Sequence, residues 1–133
     1  MATGQCNCGA VVFEFDAEPT DVYVCHCSIC RRFTGSNGIA VVVVDKATFR
    51  WLRGDGRVTR WSKPDGDWIA SFCECCGSAM PGPNDEHRMF IPAGSITEGG
   101  ENLRVAHHIF VDSRASWDVI GDNGKQHSSR IGG

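Results

Sequence analysis

Eight cysteines stand in three short runs: Cys6-Asn-Cys8-Gly9, Cys25-His-Cys27-Ser-Ile-Cys30 and Cys73-Glu-Cys75-Cys76-Gly77. Each run gathers two or three sulfurs within about one turn of backbone. Zinc needs such clustering, because four soft ligands must converge at ~2.3 Å from one ion. A glycine after a pair lets the chain turn tightly and aim amide N–H groups at sulfur. The outer pairs, Cys6/Cys8 and Cys73/Cys76, make a closed four-thiolate set that would staple the start of the chain to residue 73. The middle run supplies Cys25, Cys27 and Cys30 and leaves a fourth position free. A closed zinc site is structural as a rule, and a three-ligand site is catalytic. Two zinc ions are therefore expected, one structural and one catalytic. Cys75 is left over and reads as a spare, half-buried thiol. Cys-x-x-Cys motifs also serve thioredoxin-like redox enzymes, but no βαβ pattern surrounds them here.

Zinc held by three thiolates keeps a net negative charge, so it is a weaker Lewis acid than zinc held by histidines. Such a site suits an incoming thiol, which it would hold as thiolate. His26 lies between two proposed ligands, and strand alternation turns it away from them. It reads as a satisfied structural histidine, with a proton shuttle as the sharper option. His108 opens an apolar strand and reads as a hydrogen-bonded core histidine. Arg31 and Arg32 follow Cys30 and either bind a substrate carboxylate or form a solvated pair. Arg50, Arg53, Arg57, Arg60 and Lys63 read as the exposed face of a hairpin. Of these, Arg53, Arg57 and Lys63 are also candidates for binding an anionic ligand. Trp51, Trp61 and Trp68 read as core packing rather than a pocket lining.

Short strands must hold these residues. Val11, Phe13 and Phe15 alternate with Val12 and Glu14, which suits a half-buried strand. Residues 21–25 form the next strand, and 38–44 is a continuous β-branched run, the mark of a buried central strand. Strands follow at 48–52, 57–61, 68–72, 89–92 and 103–111, punctuated by Arg-Gly-Asp-Gly at 53–56 and Lys-Pro-Asp-Gly at 63–66. Helix is confined to 28–34, stopped by Gly35, and to 113–120. The sequence thus predicts a compact, mainly-β domain over residues 1–120 and a polar, poorly ordered tail over 121–133.

The chain carries 13 basic and 16 acidic residues, a net charge of -3. That balance argues against a general nucleic-acid partner. No segment approaches the ~20 apolar residues of a membrane span, so no membrane partner is expected. The opening Met-Ala-Thr-Gly-Gln lacks the features of a secretion signal, so a reducing cytoplasm is the expected location. Oligomeric state is not encoded in any motif.

The order Cys6-x-Cys8-Gly9, then Cys25-His-Cys27-x-x-Cys30-Arg-Arg-x-Thr34-Gly35, then Phe72-Cys73-x-x-Cys76-Gly77-Ser78 resembles the glutathione-dependent formaldehyde-activating enzyme family, which includes centromere protein V. Pro92-Ala-Gly94-Ser95, His108-Ile-Phe-Val-Asp-Ser-Arg114 and Trp117 extend the likeness over about residues 4–120. Ser116 stands where relatives carry proline. The resemblance implies a zinc-stapled two-sheet β fold with one or two short helices. It also implies a structural zinc on Cys6, Cys8, Cys73 and Cys76, and a catalytic zinc on Cys25, Cys27 and Cys30. Its activity would be that of a carbon–sulfur lyase, joining formaldehyde to glutathione or cleaving the adduct. The alternative is a non-catalytic, zinc-stabilised binding module, which would close the second site with a protein ligand such as His26 or Cys75.

Overall fold

The computed structural model describes residues 1–66 and 68–132. The alternating segment forms one arm of the first hairpin. Strand β1 (Ala2–Gln5) pairs antiparallel with β2 (Val12–Phe15), with Gly4 opposite Phe13. Phe13 and Phe15 are buried and Glu14 is not, as a period of two requires. Then come β3 (Asp21–Cys25), the helix α1 (Ser28–Thr34), β4 (Ile39–Asp45) and β5 (Phe49–Arg53). A ribbon of β6 (Val58–Ser62) and β7 (Ile69–Cys73) follows. The chain continues through β8 (Gly82–Pro83), β9 (Arg88–Pro92), β10 (Ile96–Glu98), β11 (Arg104–Ile109) and β12 (Lys125–Gln126).

The mainly-β expectation holds. Two larger sheets, in the orders β10-β1-β2-β5 and β12-β11-β3-β4-β9-β8, are joined by the separate β6-β7 ribbon. The β-branched run becomes β4, central in the six-stranded sheet between β3 and β9. Phe13 and Phe15 from one sheet meet Val22, Val42, Val44 and Ile91 from the other in one core cluster. A smaller cluster of Cys6, Val11, Cys73 and Met80 lies under the ribbon. No described helix is long and apolar enough to cross a membrane.

Two local expectations fail. Residues 113–120 form no helix; a single 3-10 turn, Val111–Ser113, is followed by open turns. Ser113, Ser116, Asp118 and Val119 are weak helix formers, and eight residues cannot nucleate a helix without packing. The tail beyond 121 is tied down rather than loose. β12 pairs parallel with β11 through His107↔Lys125 and His108↔Gln126. The His127 amide donates to the His108 carbonyl at 2.8 Å, and the Val111 amide to the His127 carbonyl at 3.0 Å. Its polar side chains concealed this, because the backbone makes the attachment.

Candidate metal centres and the adjoining cleft

The four-sulfur cluster is assembled by two tight turns. After β1 the Gly9 amide donates to the Cys6 carbonyl at 3.1 Å, and Gly9 takes the left-handed φ of 76°. After β7 the Gly77 amide donates to the Cys73 carbonyl at 2.8 Å, with φ 78°. The Val11 amide donates to Cys6 Sγ at 3.3 Å. The sulfurs of Cys6, Cys8, Cys73 and Cys76 all lie within 4.8 Å of one another. Cys6–Cys8 is 3.6 Å and Cys8–Cys73 is 3.8 Å, sulfur to sulfur. A tetrahedron with ~2.3 Å arms has edges of ~3.8 Å, so the four thiols fit a zinc ion.

The second cluster sits where β3 runs into α1. Cys25 ends β3, Cys27 is the N-cap of α1, and Cys30 lies in its first turn, where its amide donates to Cys27 Sγ at 3.4 Å. These three sulfurs also lie within 4.8 Å of one another, and no fourth His, Cys, Asp or Glu joins them among the described residues. Gly38 allows the approach of β4: a Cβ there would stand 2.3 Å from the Cys25 carbonyl oxygen.

The crowded sulfurs compete for negative charge. Hydrogen bonds from Cys25 and Cys30 hold the Cys27 thiol down at about 2. Donating its hydrogen bond to Cys27 pushes the Cys25 thiol up to about 11, and hydrogen bonds to Cys25 and Cys27 drive Cys30 strongly upward. In the outer cluster the Ser78 hydroxyl helps hold Cys76 at about 5. An Ala10 amide lowers Cys8, but desolvation and its sulfur neighbours push it up to about 12. In each cluster some thiols are thus held down and others pushed up, and a dication among them is what lets every sulfur carry charge. Both sets of donors fit a soft-ligand zinc site on this ground as well as on distance.

Neither candidate for closing the second cluster does so. His26 is 1% exposed and turned into the sheet. Its Nε2 meets His108 Nδ1 at 2.8 Å, and His108 Nε2 meets Asp122 Oδ1 at 2.8 Å. With Asp122 ionised, His108 donates from Nε2 and accepts at Nδ1, so His26 donates from Nε2. Burial, and then the neighbouring His108, push His26 below the ordinary imidazole value. Neutral His26 thus leaves Nδ1 as a bare acceptor facing Asp118 Oδ2 at 3.4 Å, where no hydrogen bond forms. Cys75 is exposed rather than half-buried, and it accepts from Arg57 Nη1 at 3.3 Å.

The basic residues divide by partner. Arg50 pairs with Glu14 and Asp16, Arg53 holds the Gly9 carbonyl at 2.9 Å, and Lys63 is bonded to Asp65. Arg53 is thus a brace for the first cysteine turn. Of the tryptophans, Trp51 packs edge-on against Phe13 and Phe49 in the core. Trp61 and Trp68 instead wall a cleft with Ile29, Arg32, Phe33, Lys63 and Ala70. The sequence missed this because the ribbon forms its own sheet and turns one face to α1 rather than to the core. Asp118 and Asp122 were missed as well, since neither segment 113–120 nor the polar tail carries a signal that its carboxylates reach buried histidines.

The family profile described as glutathione-dependent formaldehyde-activating enzyme matches residues 1–113. A Halomonas elongata protein that takes its name from glutathione-dependent formaldehyde activation is 30% identical over 86 residues, covering 60% of this chain and 54% of the relative. The chain thus spans about half the length of the curated relative it matches. A crystal structure of a Rhodobacter sphaeroides protein superposes with a TM-score of 0.60 at 24% identity, covering 73% of this chain and 88% of the other. At that identity the likeness speaks for the fold.

Proposed function

The chain belongs to the glutathione-dependent formaldehyde-activating enzyme family, and on that footing we propose that it is a zinc-dependent carbon–sulfur lyase acting at Cys25, Cys27 and Cys30. It would join or cleave a small aldehyde and a thiol such as glutathione. Cys6, Cys8, Cys73 and Cys76 would hold a second, structural zinc. The observation that carries this reading is the unequal completion of the two clusters: four converging sulfurs in one, three in the other.

Bound at the three-sulfur cluster, zinc would supply a positive centre that keeps a substrate sulfur ionised at neutral pH. The chain's own residues prepare the place. Capping of α1 by Cys27 fixes two sulfurs on one turn. The row of buried His26 and His108, ending on exposed Asp122, holds the Cys25–Cys27 segment against β11, helped by the His26 amide donating to the Ile109 carbonyl at 3.0 Å. In the joining direction the thiol sulfur donates an electron pair to the aldehyde carbon. The carbonyl π bond opens, and its oxygen takes up the proton the thiol released. Cleavage reverses each of these movements. A binding module would close the second cluster from within. His26 faces His108, and Cys75 faces Arg57, so the observation favours the enzyme. A reducing cytoplasm suits a site of free thiols.

The test is the rate of S-hydroxymethylglutathione formation from glutathione and formaldehyde above the spontaneous rate, for wild type and Cys27→Ser. Catalysis by the wild type that Cys27→Ser abolishes supports the reading. A wild type carrying two zinc ions yet no faster than buffer, with glutathione and with other small thiols, overturns it.

A further inference from the structure

The ribbon and α1 make a binding site that the two sulfur clusters do not use. Trp61 lies in β6 and its direct partner Ala70 in β7; just beyond the strand ends the Lys63 amide donates to the Trp68 carbonyl at 2.9 Å, which continues the pairing. Alternation therefore brings Trp61, Lys63, Trp68 and Ala70 to one face. Opposite stand Ile29, Arg32 and Phe33, at the i, i+3 and i+4 spacing that shares one side of a helix. Ala70 is too small to fill the space its neighbours frame. The result is a cleft of ≈ 270 Å³ with a methyl-sized floor and aromatic walls. That volume suits one ring and a short charged arm.

The chemistry of the walls selects the ligand. Phe33 and Trp68 stand edge-to-face at 5.8 Å, which fixes the inner wall. Trp61 is 52% exposed, an uncovered indole at the mouth that a flat apolar group would shield from water. Arg32 is exposed beside it, and Lys63 is engaged by Asp65. Among the described residues, the lining side chains include two cations and no carboxylate. The Arg32 guanidinium at such a cleft attracts a carboxylate. Ile29 adjoins Cys30 in α1, so the cleft begins one residue from the three-sulfur cluster.

We propose that this cleft binds an aryl group on a carboxylate-bearing sulfur ligand, so that the substrate is an aryl-substituted thiol or thiol adduct rather than one built on formaldehyde and glutathione alone. The inference rests on the carbon–sulfur lyase reading only for the word substrate; the binding preference stands without it.

The experiment follows tryptophan emission while the zinc-loaded protein is titrated with S-benzylglutathione, S-methylglutathione and 4-mercaptophenylacetate. The first carries its ring on the aldehyde side of sulfur and the third on the thiol side. S-Benzylglutathione or 4-mercaptophenylacetate should bind at least about tenfold more tightly than S-methylglutathione. Trp61→Ala should erase that preference, and Arg32→Gln should weaken the carboxylate ligands about tenfold, with zinc content unchanged in both. Both side chains are solvent-exposed, so the fold should persist, and Trp68→Phe offers a conservative check that should leave most of the preference. Equal binding of all three ligands, or a preference untouched by Trp61→Ala, overturns the proposal. A preference in a protein without lyase activity would defeat the reaction reading alone. Lyase activity without the preference would defeat this proposal alone.

Discussion

Replacing Cys6 by serine would test the stapling role most directly. Cys6 is 1% exposed, and its sulfur receives the Val11 amide while facing Cys8 at 3.6 Å. Serine keeps an acceptor near the amide but is a poor zinc ligand. What would be lost is a cross-link between segments 65 residues apart, the separation of Cys8 and Cys73. Treated as a closed loop of that size, the chain-entropy relation gives about 4 kcal/mol of stabilisation. For a domain of this length, each kcal/mol moves the unfolding midpoint by roughly 4 °C. Cys6→Ser should therefore fall by roughly 15 °C in a thermal scan under reducing conditions and lose one of two zinc ions by elemental analysis. Cys75→Ser is the matched control, because its sulfur is exposed and outside both clusters. The reasoning is refuted if Cys6→Ser keeps both its zinc and its midpoint, or if Cys75→Ser falls as far.

Further outcomes follow from other parts of the molecule. Cys27→Ser should lower zinc from about two ions to about one while circular dichroism stays native, since the four-sulfur cluster lies elsewhere; collapse of the fold would show the middle cluster to be structural. Gly38→Ala should cost about 1–3 kcal/mol in urea unfolding, because its Cβ would meet the Cys25 carbonyl at 2.3 Å. It should also weaken zinc at the three-sulfur cluster, and a neutral result would show that β4 yields freely there. Hydrogen bonds from Arg88, and then from the His87 amide, hold the Asp85 carboxyl well below the usual carboxylate range. A lowered folded-state value contributes stability that is present in full above pH 3.8 and lost as pH falls through that lowered value. The carboxyl carbon of Asp85 should accordingly read as ionised by NMR at pH 3, and Arg88→Ala should leave it mostly protonated there.

What the sequence determined was what short-range chemistry can encode. A Cys-x-Cys or Cys-x-x-Cys run brings its sulfurs together by backbone geometry alone, so the grouping into four and three was legible from spacing. The period-two burial of Phe13 and Phe15 and the buried run that became β4 were legible for the same reason: each is a repeat over a few residues. Tertiary structure decided whatever depends on which face meets which. Trp51 and Trp61 are equally apolar, yet one is core and the other half-exposed, because β5 belongs to a core sheet and β6 to a free-standing ribbon. Arg53 became a brace for Gly9 only because the end of β5 passes beside the first cysteine turn. Asp122 found His108, 14 residues away, through a parallel pairing of β12 that no periodicity announces. Such contacts depend on how distant segments are oriented in space, and spacing along the chain does not record that.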